Sequence, residues 1–301
     1  MTFPGSGKPL AAGETVVLTD RKGRRYLVRL DVGAQWHSHA GMLGHDDLIG
    51  AVEGTTLRTN RGMEVVALRP TREDFVLKMK RGAQVVYPKD QAMIVAQADI
   101  RPGMHVLEAG TGSGALALAL LDAVGRDGRV TSIDNREDHQ RQAAANIAEW
   151  LGDVPDNLEL RIGDVAELVA PIAGLHRVVL DLLEPWRAID GAADALATGG
   201  ILLAYTPTIP QVMRLREALE ADRRWAWLET TETIVRPWDV KGLSVRPAHR
   251  MVAHTAWLTR ARRVPPPEDG GPPPPRHGPS GLDWSVHDQM DDPMAHPDGN
   301  H

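Results

Sequence analysis

The run Val106-Leu-Glu-Ala-Gly-Thr-Gly-Ser-Gly-Ala115 packs an apolar strand end, an acid, three alternating glycines and the start of an Ala/Leu-rich helix into ten residues. Gly110, Gly112 and Gly114 let the backbone turn steeply and let a bound group approach without meeting a Cβ. In the segment that follows, residues 113–124, a helix N-terminus points unpaired N–H groups at that bound group. The implied chemistry is capture of a nucleotide-type cofactor by Glu108, Gly110, Gly112, Ser113, Gly114 and Ala115. The plainer alternative is a tight strand-to-helix turn with no ligand.

Two cofactors compete for such a loop. Read as Gly110-x-Gly112-x-x-Ala115, it satisfies the dinucleotide fingerprint, with Asp134 near the spacing of a ribose contact. A dinucleotide loop, however, does not call for an acid two residues before its first glycine. Glu108 stands there, as in the E-x-G-x-G-x-G loop of S-adenosylmethionine (SAM) methyltransferases. SAM carries no phosphate, so the helix end would face the methionine carboxylate. The acid could then order the amino end, through its ammonium or through water. The loop favours SAM and leaves NAD open.

The elements around the loop change character along the chain. Between residues 15 and 70, short β-prone runs with turn signals read as two hairpins, 15–19 with 26–30 and 55–58 with 64–68. Residues 71–99 read as two helical pieces, the second opened by Pro88 in its first turn. Strands at 105–109, 130–134, 158–162, 177–182 and 201–205 then alternate with helices at 113–124, 136–151, 186–196 and 211–222. Such alternation makes a mostly parallel sheet covered on both faces. Two last strands, 225–235 and 251–259, have no helix between them and suit an antiparallel edge pair. A methyltransferase sheet closes with an inserted antiparallel strand, whereas a dinucleotide domain ends on a parallel one. The expected division is a flexible terminus at 1–12, a small β domain at 13–70, an α/β domain at 71–263 and a disordered Pro-rich acidic tail at 264–301. Trp284 lies within that tail.

Ligands of open α/β sheets bind outside the carboxyl ends of the strands. Asp134 ends the second strand, where a carboxylate can accept both ribose hydroxyls, and Asp164 ends the third, where one can accept an adenine amino group. Asp181 ends the fourth. Each alone could be a helix cap or a solvated end, but four strand-end acids in order, Glu108 included, are hard to attribute to capping. The histidines, among them His37, His39, His45, His249 and His254, lack metal-ligand register, so no metal site is expected. Gly112-Ser-Gly114 is not a nucleophile elbow.

The 301 residues include no cysteine, which excludes disulfides and thiolate zinc sites. With no apolar run of about 18 residues and no hydrophobic signal core, a soluble cytoplasmic protein and no membrane partner are expected. The net charge of −6 argues superficially against a polyanionic partner. Residues 262–301 hold three Arg against seven acids, however, so the body is near neutral and carries basic clusters at residues 21–25 and 78–81.

Four segments in combination resemble one family: Arg81-Gly-Ala-Gln-Val-Val-Tyr-Pro-Lys-Asp90, the glycine loop at 107–114, Leu180-Asp-Leu-Leu-Glu-Pro-Trp186 and Arg246-Pro-x-His-x-Met-x-x-His-Thr255. Over roughly residues 13–262 the chain is similar to the tRNA (adenine-N1)-methyltransferases that modify position 58 of the T-loop, in their bacterial, actinobacterial-looking form. The family pattern near the fourth strand approaches D-x-P-x-P-W, and Leu183 here replaces its first proline. The resemblance implies a Rossmann-like class I SAM-dependent methyltransferase sheet behind a small N-terminal β domain. It also implies SAM contacts from Gln84, the 112–115 turn, Asp134, His139, Gly163 and Asp164, with Asp181 catalytic and touching both cofactor and base, and Tyr87 beside the target adenine. A core tyrosine is the plain alternative for Tyr87. A homotetramer with a tRNA surface shared between subunits is implied as well. Competing readings are a SAM methyltransferase of a protein or small molecule and a non-catalytic RNA-binding subunit.

Overall fold

Residues 4–82 and 84–266 are described by the computed structural model of this chain. Ahead of Pro70, alternating β-branched residues and Gly-containing turns form β1 (Thr15–Asp20), β2 (Arg25–Arg29), β3 (Gln35–Ser38), β4 (Gly41–Gly44), β5 (Thr56–Arg58) and β6 (Glu64–Leu68). Four of these make an antiparallel sheet in the order β2-β1-β6-β5, and β3 pairs with β4 as a separate hairpin that the sequence pattern did not announce. Val16, Leu18, Leu30, Leu48 and Val65 form the core of this unit.

Leu10 joins that core with only 1% of its surface exposed, so the stretch expected to be flexible at 1–12 is partly built in. Its N–H donates to Ala51 O at 2.9 Å and its carbonyl accepts from Gly50 N at 2.7 Å. The buried Arg69 guanidinium holds the same stretch, donating to the carbonyls of Lys8 and Pro9 and pairing with Glu14 and Glu53. The expected tail falls largely outside the described residues, and Trp284 with it.

The second unit begins with α1 (Arg72–Lys78), closed at its start by a capping box between Thr71 and Asp74, and α2 (Pro88–Gln97), whose proline occupies the first turn. There follow β7 (His105–Ala109), α3 (Ala115–Val124), β8 (Arg129–Asp134), α4 (Glu137–Leu151), β9 (Leu158–Ile162), α5 (Val165–Leu168), β10 (Leu175–Leu180), α6 (Ile189–Ala195), β11 (Leu196–Thr206), α7 (Ile209–Ala221), β12 (Trp225–Glu232), β13 (Trp238–Lys241), β14 (Ser244–Pro247) and β15 (Trp257–Arg263). Seven strands form one sheet in the order β12-β15-β11-β10-β7-β8-β9. Its central strands are buried on both faces, as a helix-covered parallel sheet requires. Val106 faces one core with Leu116, Leu118 and Ile147, while its neighbour Leu107 faces the other with Ile133 and Leu180.

β15 is inserted between β11 and β12 and runs antiparallel to both. That closure is the one expected of a methyltransferase sheet. Between β12 and β15, however, the chain leaves the sheet to form the β13–β14 hairpin, and β15 starts six residues later than the pattern suggested. The cause lies on α2. Lys89 Nζ bonds Thr233 O at 2.8 Å and Thr255 Oγ1 at 2.6 Å, while Asp90, fully buried, takes Lys89 at 2.7 Å and the Thr255 hydroxyl at 2.7 Å. Residues on either side of the excursion are thereby tied to a helix instead of to the sheet.

Asp90→Ala should destabilise the protein by about 3 to 5 kcal/mol, because it leaves the half-buried Lys89 ammonium without its carboxylate. Denaturant unfolding of the variant beside the wild type measures this; a loss below about 1 kcal/mol would show the pair to be incidental.

Candidate active site

The carboxyl ends of β7, β8, β9 and β10 meet at one edge of the sheet, and the glycine loop packs them together. At Gly110, where φ is +96°, an added Cβ would lie 2.0 Å from the Asp181 carbonyl oxygen. Gly110 N donates to Ile133 O at 2.8 Å, and Asp181 N donates to Ala109 O at 2.8 Å. At Gly114 a Cβ would press within 3.2 Å of Ala143 and Ile147, so this glycine admits α4 against the loop.

A cavity of about 420 Å³ opens at this edge, lined among others by Gly110, Asp134, His139, Gly163, Asp164 and Asp181. Six sequence-expected residues thus share one space. The others are placed differently. Gln84 is exposed and outside the lining, and Ser113 is buried with its hydroxyl accepting from Gly82 N at 3.2 Å. Glu108 is fully buried behind the lining, and Tyr87 is half-buried at the N-cap of α2.

Two of the strand-end acids are already engaged. Asp134 Oδ2 accepts from Gly112 N at 2.9 Å and faces His139 Nδ1 at 3.1 Å, while Oδ1 accepts from Arg136 N at 2.9 Å. A carboxylate has about four acceptor positions, so one ribose hydroxyl can be received directly. Receiving both requires one of the present bonds to yield. Asp164 caps α5 through Ala166 N at 2.9 Å and pairs with Arg187 at 3.1 Å, a residue that sequence reasoning passed over.

Burial and the charge of Asp134 push the Asp181 carboxyl up to about 7. Glu108 is pushed up to about 8, first by burial and then by Asp181 and Asp134, against the bond it accepts from Ser132. Tyr205, near the end of β11, was also missed, although its strand-end position was a usable signal. Burial, with the charges of Asp90 and Asp181, raises its hydroxyl far above the ordinary range. Tyr205 thus feels the charges of both Asp90 and Asp181.

These features fit SAM. Glu108 Oε1 and His139 Nε2 are buried with no partner among the described residues, as polar atoms awaiting a ligand would be. The N-cap of α3, Gly114, provides no side-chain cap, which suits a carboxylate ligand at that helix end. Gly110, Gly112 and Gly114 all have positive φ, which keeps side chains out of the loop.

The strand order and the cavity at its switch point define a class I SAM-dependent methyltransferase. Residues 64–263 match the family described as tRNA methyltransferase complex GCD14 subunit, and residues 9–57 match the TrmI-like N-terminal family. The chain belongs to the tRNA (adenine-N1)-methyltransferase family. It is 41% identical over 82% of its length, and 96% of the relative's, to the tRNA (adenine(58)-N(1))-methyltransferase TrmI of Thermus thermophilus. It is 34% identical to the tRNA (adenine(57)-N(1)/adenine(58)-N(1))-methyltransferase TrmI of Methanocaldococcus jannaschii, covering 83% of this chain and 95% of that one. Among solved structures, a SAM-dependent O-methyltransferase of Thermotoga maritima superposes with a TM-score of 0.82 at 30% identity, over 87% of this chain and 97% of the other. The tRNA (m1A58) methyltransferase TrmI of Aquifex aeolicus gives 0.75 at 28%, over 85% and 99%.

An unfolded glutamate titrates near 4.5, whereas Glu108 in the folded protein titrates near 8. Between those values unfolding releases a proton, so this residue's contribution is full below about 4.5 and is lost as pH rises through about 8. Without ligand, Glu108→Gln should therefore raise Tm by on the order of 5 °C at about pH 8.5 and leave it nearly unchanged at about pH 5. Scanning calorimetry at the two pH values checks this, and an equal shift at both would remove ionisation as the cause.

Proposed function

We propose that the protein transfers a methyl group from SAM to N1 of the adenine at position 58 in the tRNA T-loop, as the names of its Thermus and Aquifex relatives state for those proteins. The observation that carries the reading is Asp181, a half-buried carboxylate on the cavity wall, held by Gly110 and neighboured by Tyr205. When bound, SAM supplies an electrophilic methyl group on a sulfonium.

The residues around that group do the positioning. Adenine N1 attacks with an in-plane lone pair, so no base need remove a proton first. The new N–C bond forms as the S–C pair leaves on sulfur, and the adenine becomes cationic. Asp181, accepting from the N6 amino group, favours that charge electrostatically. Asp134, Asp164 and His139 on the cavity wall bind the cofactor with the 112–115 turn, and Tyr87 flanks the adenine. N1 lies on the Watson–Crick edge, so the base must leave its tertiary contacts to enter.

A homotetramer and a cytoplasmic location belong to the same reading. Trp238, Val240, Leu243 and Val245 on the β13–β14 hairpin are all more than half exposed, which suits contact between copies. Among the described residues no helix is long and apolar enough to cross a membrane. The domain division at residue 70 is supported by the separate four-stranded and seven-stranded sheets.

Loss of 1-methyladenosine from tRNA of cells lacking the protein, read by mass spectrometry, is the direct test; unchanged 1-methyladenosine would overturn the assignment. In single-turnover methylation, Asp181→Ala should slow the bound complex on the order of 10²-fold, with Asp181→Asn between it and the wild type. Because the free-enzyme carboxyl titrates near 7 and must be ionised to act, kcat/KM should fall as pH drops below that value. Variants that methylate at the wild-type rate would remove Asp181 from the reaction.

A further inference from the structure

Beneath the glycine loop runs a file of buried polar side chains that no strand end requires. Gln140 Nε2 on α4 donates to Thr111 Oγ1 at 3.0 Å, Thr111 Oγ1 and Ser132 Oγ lie 2.6 Å apart, and Ser132 Oγ donates to Glu108 Oε2 at 2.5 Å. The four residues come from four segments, and all are at most 5% exposed.

The direction of the protons is set at the far end. Gln140 Nε2 also faces the carbonyl oxygens of Arg161 at 2.9 Å and Ser132 at 3.3 Å. An amide oxygen there would face two carbonyl oxygens that cannot donate, so this atom is the nitrogen. Thr111 therefore accepts from Gln140 and gives its own proton to Ser132, which gives its proton to Glu108. Bonds aligned in series polarise one another, and the whole file ends on one carboxylate oxygen. The other oxygen, Oε1, has no partner among the described residues.

We propose that Gln140, Thr111 and Ser132 are positioning residues for methyl-donor capture, supplying a donor to Glu108 Oε2 so that Oε1 is presented to the cationic amino end of the cofactor. This rests on the SAM reading of the cavity. The charged groups facing Glu108 are Asp181, beyond β10, and Asp134, at the end of β8; the bond from Ser132 and the Ala117 N–H at the start of α3 oppose their effect. A protonated Glu108 must release its proton to receive a cation, so affinity rises with pH as the carboxyl ionises. Without the file Glu108 keeps its proton longer, and that rise moves to higher pH.

S-adenosylhomocysteine has the same amino end and no methyl group to transfer, so its binding to the full chain is the readout, by calorimetry between about pH 6 and about pH 9. Thr111→Val keeps the shape and deletes the hydroxyl. It should weaken binding about tenfold near pH 7 and move the pH-dependent rise upward by about half a unit or more, whereas Thr111→Ser should recover wild-type affinity within about twofold. If Thr111→Val does not fold, Gln140→Met breaks the same file at its other end and should displace the profile in the same direction. Superimposable pH profiles for wild type and the file-breaking variants would overturn the positioning role while leaving the cofactor reading intact. So would a Thr111→Ser variant as impaired as Thr111→Val. Failure of the wild type to bind at any pH would overturn the cofactor reading itself, and the proposal with it.

Discussion

A Cβ at position 110 would lie 2.0 Å from the Asp181 carbonyl oxygen, closer than any side chain permits. The turn after β7 and the turn after β10 therefore share a space that only glycine leaves open. Because Gly110 N also reaches Ile133 O, the ends of three neighbouring strands are set by this one contact. Asp181 and Asp134 line the cavity as a consequence, and Glu108 is sealed behind them. Burial first, and the neighbouring carboxylate charges second, push the Asp181 carboxyl up to about 7 and that of Glu108 up to about 8.

A second tie joins α2 to the strands that close the sheet. Lys89 and Asp90 on α2 take hold of Thr233 and Thr255, so the strands that close the sheet are fastened to the helix that precedes the glycine loop. The buried Tyr205 hydroxyl feels the charges of both Asp90 and Asp181.

Local pattern made much of this legible. β7 and β9 fall on their expected residues because each is a short β-prone run between strong turn or helix signals. The glycine loop and its acids announced themselves because a positive-φ turn and a strand end leave marks at adjacent positions. What stayed hidden was pairing across distance. Asp90 and Thr255 are 165 residues apart, and nothing in either neighbourhood names the other. Thr111 and Ser132 were hidden for another reason: a hydroxyl in a glycine loop or a strand looks like spacing until its partner is seen. Asp164 shows the reverse limit, since a cap and a ligand contact leave the same residue at the same place, and here the cap is formed.

The antiparallel insertion of β15 has a geometric consequence. β12 runs parallel to β11, so it ends at the cavity edge, and β15 must begin at that edge. The 24 residues between them leave and re-enter the sheet on the cofactor's side, touching its hydrogen-bond ladder nowhere. Between its anchors at Thr233 and Thr255, this excursion can lengthen, shorten or change composition without moving a single strand register. The rim at this edge and the floor of the cavity are thus separable modules, and one scaffold can be refitted by rewriting a loop.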